Sequence, residues 1–111
     1  MSVKIEVNGD VTVAYLSGEL DHHSAKPMRE EIDAAIEANM PTLLVLDFKD
    51  ITFMDSSGIG LVMGRYKAVS KNGAELAITN PSPQIYKVMQ LAGLTRLAKI
   101  EKGGMKYETT K

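Results

Sequence analysis

The stretch Leu43-Leu44-Val45-Leu46-Asp47-Phe48-Lys49-Asp50-Ile51-Thr52-Phe53-Met54-Asp55-Ser56-Ser57-Gly58-Ile59-Gly60 decides the fold. Its first four residues form a continuous apolar run too short for a helix, which reads as a central strand covered on both faces. Phe48 to Met54 reads as a connector. From about Ser57 the period lengthens, and Ile59, Val62, Met63, Tyr66 and Val69 share one face of a helix that Asn72-Gly73 stops. A buried strand that passes through a loop into an amphipathic helix is half of a parallel crossover unit.

Upstream, Val3, Ile5 and Val7 alternate, Asn8-Gly9 turns the chain, and Val11, Val13 and Tyr15 resume before Gly18, which predicts a β-hairpin. Met28, Ile32 and Ile36 then recur every four residues beside Ala25 and Ala35, with Glu30, Glu31, Asp33 and Glu37 on the other side of a helix. Asp21 or Ser24 serves as its N-cap, Pro27 sits in its first turn, and Asn39 followed by Pro41 ends it. Downstream, Leu76-Ala77-Ile78 reads as a short strand. Pro81 and Pro83 open a helix with Ile85, Val88, Met89 and Ala92 inward and Gly93 as C-cap, and Leu97 to Ile100 is the last strand.

The order β-β-α-β-α-β-α-β is that of an α/β fold, an antiparallel hairpin feeding three βα crossover units. Right-handed crossovers advancing in one direction place all the helices on one face of a mixed sheet. Residues 1–101 are expected to form a single domain, and residues 102–111, which show neither period, a flexible tail.

A length of 111 residues leaves room for one domain of about 100 to 150 residues and excludes a two-domain enzyme. Thirteen Lys and Arg against fourteen Asp and Glu give a net charge of -1, so no direct nucleic-acid partner is expected. The absence of cysteine excludes disulfides, thiolate zinc sites and thiol chemistry. No apolar run approaches the roughly 20 residues of a membrane span, and Met1-Ser2-Val3-Lys4-Ile5-Glu6 lacks the apolar core of a signal peptide. A cytoplasmic protein without a membrane partner is the expectation.

The unusual residues concentrate in Phe53-Met54-Asp55-Ser56-Ser57-Gly58-Ile59-Gly60, where strand passes to helix and function usually sits. A helix start offers free N–H groups and the positive dipole end, so a phosphate on a serine there has ready donors. Ser56 or Ser57 acts as N-cap on the plainer reading. Gly60 and Gly64, each about 1 kcal/mol worse than Ala inside a helix, call for a packing or close-approach reason. A hydrolase elbow is excluded because position 54 is Met and no His follows the serine, and the glycine spacing departs from a dinucleotide fingerprint. His22 and His23 lack an i, i+4 partner and read as polar residues at a helix entrance, so neither metal nor cofactor is expected. Arg65, Lys67 and Lys71 read as a solvated face, and the methionines as core filler, with Met54 set apart as a pliable contact beside the serine loop.

Asp55-Ser56-Ser57-Gly58-Ile59-Gly60 through Gly64-Arg65-Tyr66-Lys67, with Gly18-Glu19-Leu20-Asp21-His22-His23 upstream, resembles the STAS-domain anti-sigma factor antagonists of the sporulation anti-anti-sigma type. The resemblance covers residues 1 to about 101 and implies a regulatory module, not an enzyme. Such a module binds an ATP-using anti-sigma factor serine kinase, frees a sigma factor, is switched off by serine phosphorylation and is reset by a serine phosphatase. By position it makes Ser56 the phosphoacceptor. It gives Asp21, His22, Met54, Asp55, Ser57, Gly58 and Arg65 to the partner-binding surface. The second reading is a STAS interaction module of a transporter, stress-signalling or lipid-trafficking assembly without a sigma-factor role. A final amphipathic helix of longer family members is not evident after Gly103.

Overall fold

The computed structural model describes residues 2–102. The chain runs through β1 (Ser2–Asn8), β2 (Val11–Leu20), α1 (His22–Asn39), β3 (Leu43–Met54), α2 (Ser56–Ser70), β4 (Glu75–Thr79), α3 (Pro83–Leu91), a 3-10 turn (Leu94–Arg96) and β5 (Lys99–Glu101). The five strands lie side by side in chain order, with β1 antiparallel to β2 and every later pair parallel. The expected α/β architecture, hairpin first and helices on one face of a mixed sheet, is the one observed. The expected tail of 102–111 falls, beyond Lys102, outside the described residues.

Alternation decides which strand side chains meet the helices. Ala14, Leu16 and Leu20 of β2, Leu44, Leu46 and Phe48 of β3, and Leu76 and Ile78 of β4 point to the helical side. There they join Met28, Ile32 and Ile36 of α1, Leu61, Val62 and Val69 of α2, and Ile85 and Met89 of α3 in one core. The expected cover on both faces of the central strand is present, with Leu44, Val45 and Leu46 all fully buried. Val45 lies on the face opposite the helices, where it packs with Val13 of β2 and Ala77 of β4, with Val11 and Leu43 beside them.

Several local expectations are corrected. The supposed connector Phe48–Met54 is the second half of β3. Register shifts between Tyr15 and Ser17 and between Gly18 and Glu19 let β2 stay paired with it. Gly18 adopts φ 98°, a left-handed conformation that a side chain disfavours, at the second of these irregularities. The bulges explain why Phe48, Ile51 and Met54 are buried at intervals of three rather than two. Pro27 lies in the second turn of α1, because the helix already begins at His22. On α3 Val88 is 39% exposed instead of inward. The last strand is Lys99–Glu101, preceded by the 3-10 turn.

Candidate functional site

The α1 and α2 starts emerge together at the carboxyl end of the parallel β2–β3 pair, where Leu20 is in register with Met54. Two hydrogen bonds hold the ends in place. The Asp55 backbone N–H donates to the Leu20 carbonyl at 3.2 Å. The Ser24 hydroxyl donates to the Glu19 carbonyl at 2.6 Å.

Asp21 caps α1. Its Oδ1 accepts from the backbone N–H groups of His23 (3.0 Å) and Ser24 (3.1 Å), while its own N–H donates to Ser24 Oγ at 3.1 Å. This reciprocal capping box satisfies donors that a helix start leaves free. Both expected candidates, Asp21 and Ser24, therefore take part, with Asp21 as the cap. Backbone N–H donation, from Ser24 above all, holds the Asp21 carboxyl below its ordinary value. The next two residues, His22 and His23, are exposed, with ring centroids 4.0 Å apart.

At α2 the cap is Asp55, not Ser56 or Ser57: its Oδ1 accepts from the Ser57 N–H at 2.8 Å. A carboxylate thus already occupies the positive end of this helix, which the sequence left open for a phosphate. Ser56, the first residue of α2, is exposed, and its hydroxyl has no hydrogen-bond partner among the described residues. Neither imidazole receives that hydroxyl, so no nucleophile–base pair is assembled. Ser57 is half-buried and lines a groove between α1 and α2. Exposure thereby separates two serines that spacing alone leaves equivalent.

Beneath the loop, a Cβ on Gly58 would collide with Met54 Cγ and lie 2.7 Å from Met54 Sδ and 3.1 Å from Leu20 Cδ2. Gly58 is glycine because Met54 packs directly under the first turn of α2. That corrects the view of Met54 as an open contact: its side chain is 7% exposed and supports the loop from below. Arg65 is likewise not on a solvated face. It is 6% exposed, with Nε 2.8 Å from Asp33 Oδ1 and Nη1 donating to the Leu61 carbonyl at 3.2 Å, so it ties α2 to α1. Burial lowers its pKa, and Asp33 opposes that shift.

Sequence reasoning gave two neighbours no role of their own. Phe53, read as part of a connector, is 49% exposed one residue before Met54, and the burial of Met54 on the helical side turns Phe53 to the other. Arg29 lines the same groove as Ser57 and Arg65. Its position four residues before Asp33 was the available signal.

Residues 2–103 match the STAS domain. The chain belongs to the STAS domain family. This STAS domain is 35% identical over 100 residues to the anti-sigma F factor antagonist of Paenibacillus polymyxa, covering 90% of this chain and 86% of the relative. It also superposes on the anti-sigma factor antagonist SpoIIAA in its unphosphorylated form, with a TM-score of 0.78 and 35% identity over 92% of this chain and 90% of that one. With the phosphorylated form of the Bacillus SpoIIAA the TM-score is 0.71 at the same identity, covering 92% and 93%. These relatives are regulatory proteins rather than enzymes. No helix among the described residues of the STAS domain is long and apolar enough to cross a membrane.

Proposed function

We propose that this STAS domain is a cytoplasmic anti-sigma factor antagonist that binds an ATP-using anti-sigma factor kinase, releases a sigma factor, and is switched off when the kinase phosphorylates Ser56. The observation that carries the reading is Ser56 itself. It is an exposed hydroxyl without a partner at the first position of α2, beside the capped start of α1, in a fold also known for SpoIIAA with and without phosphate.

The switch follows from charge and size. A neutral hydroxyl fits into a protein contact, whereas a phosphoserine adds about -1.5 to -2 charges and three strong acceptors. Asp55 is adjacent, and its carboxylate already takes the Ser57 N–H, so the new oxygens lack the donors a bare helix start supplies. In the free protein water satisfies them and the fold stays as it is. In a complex they are desolvated next to a carboxylate, and the penalty falls on binding. A serine phosphatase then restores the hydroxyl and the active form. Asp21, His22, Ser57 and Gly58 frame the contact surface, with Met54 and Arg65 holding it from within. Nothing in this scheme requires nucleic acid or a membrane.

The test is to mix the purified chain with the ATP-binding anti-sigma factor of its own organism, add ATP, and map the phosphate by mass spectrometry. Phosphate on Ser56, release of the complex on modification, and persistent binding by Ser56→Ala are expected. Phosphate on Ser57, or no binding by the unmodified chain, would reject the proposal.

A further inference from the structure

Gly60 and Gly64 remain unexplained by the fold. Unlike Gly58, a Cβ on either one meets nothing within 4 Å, so packing within this chain does not require glycine there. Both line the groove between α1 and α2, a cavity of about 350 Å³ bounded also by Ala25, Arg29, Ser57, Leu61 and Arg65. Leaving off two β-carbons keeps this channel wide and its floor close to the helix backbone.

The charge lining the channel is unbalanced. Arg65 and Arg29 are near enough that Arg29 disfavours the Arg65 charge, and among the described residues Asp33 is the single carboxylate paired with either. Among the described residues Arg29 has no ion pair. The Arg65 Nε–H, buried and 2.8 Å from Asp33 Oδ1, is held by that one carboxylate. Two guanidinium groups against one carboxylate, with the half-buried Ser57 and a cleared floor, form a receptor for an anionic group.

We propose that the Arg29–Arg65 groove receives an acidic side chain of the protein partner, laid across Gly60 and Gly64. This rests on the reading that the adjoining end of the molecule docks a partner. A side chain is favoured over a free anion because the groove is an open trough continuous, through Ser57, with the serine loop, so a docked protein reaches both. The partner surface is then complementary in sign along its length, with a carboxylate opposite the arginines and a cation opposite Asp21 and Asp55.

Amide and Arg Nε–H NMR spectra of the full chain test the groove without any anti-sigma factor. The probes are a capped Gly-Glu-Glu-Gly peptide, its Gly-Gln-Gln-Gly counterpart, and inorganic phosphate. Saturable shifts at Gly60, Gly64 and Arg29 with the glutamate peptide are expected, absent with the glutamine peptide and lost in Arg29→Glu. No shift with the glutamate peptide, shifts that survive Arg29→Glu, or equal shifts with phosphate would overturn the proposal. In a separate arm, binding to the organism's anti-sigma factor is measured for the parent, Arg29→Glu and Gly64→Leu, with melting temperature as the folding control. Both variants are expected to bind at least tenfold more weakly with unimpaired melting, and parental affinity in both would also overturn the groove. Failure of the parent itself to bind rejects the anti-sigma reading, while the peptide titration still decides the groove.

Discussion

Substituting alanine at three glycines of one helix separates packing from helix propensity. Gly58, Gly60 and Gly64 all lie in α2, and alanine gains about 1 kcal/mol over glycine in a helix interior. At Gly60 the added methyl touches nothing, so the gain is kept. For a domain of this size about 1 kcal/mol raises the melting temperature by about 4 °C. At Gly58, the third residue of the helix, the propensity gain is smaller and the methyl would strike Met54, which the core holds at 7% exposure. Overpacking costs about 1–3 kcal/mol, so the net effect is a loss of about 1–2 kcal/mol and a fall of about 4–8 °C. The two variants therefore move in opposite directions. Thermal unfolding followed by circular dichroism at 222 nm, with guanidinium melts as a second measure, distinguishes them. A Gly58→Ala protein that melts as high as Gly60→Ala would mean that Met54 does not fill the space under α2, and the account of the serine loop's support would fail.

Asp33→Asn strips the buried Arg65 guanidinium of its carboxylate. Because the Asp33 side chain is 42% exposed, the loss is discounted from that of a fully buried pair to about 1–2 kcal/mol, read in guanidinium melts. Phe53→Ser removes an exposed ring and should leave stability within about 0.5 kcal/mol, while calorimetry shows weaker binding to the anti-sigma factor; unchanged affinity would remove Phe53 from the contact surface. The Asp21 carboxyl, held below its ordinary value of 3.8 chiefly by the Ser24 N–H, contributes stability that is fully present above that value and lost as pH falls through the lower folded value. Acid unfolding of Asp21→Asn should accordingly keep its full gap from that of the parent above about pH 4 and close on it only as pH falls further, through the lowered folded value, and a constant gap down to the most acid conditions would refute the linkage.

The periods that a one-sided sheet and a surface helix must obey were legible. The hairpin, α1 and the two ends of the serine loop stand where alternation and fourfold spacing put them, because each buries a single face. The second half of β3 was not legible, since bulges opposite Tyr15–Glu19 shift Phe48, Ile51 and Met54 out of alternation. Arg65 looked like a solvent residue because a charge pattern on one helix says nothing of Asp33 on another. Met54 was set apart as a contact for a related reason: which of two neighbours faces the core depends on strand pairing that adjacent residues do not encode. Asp55 took the cap from the serines because its carboxylate reaches the Ser57 N–H while Ser56 faces outward.

Because the strands lie in the sheet in the order in which they occur in the chain, the molecule is suited to assembly as it is synthesised. Each strand that leaves the ribosome joins an edge already present, and none has to wait for a later segment to be inserted beside it. The end bearing Asp21 and Ser56 is complete once α2 has emerged at Ser70, with β4, α3 and β5 still to come. A nascent chain thus exposes the proposed contact end before its last edge is closed. Among the described residues the three-residue β5, with exposed Lys99 as its first residue, is the last strand of the sheet and offers only a short edge to a second chain.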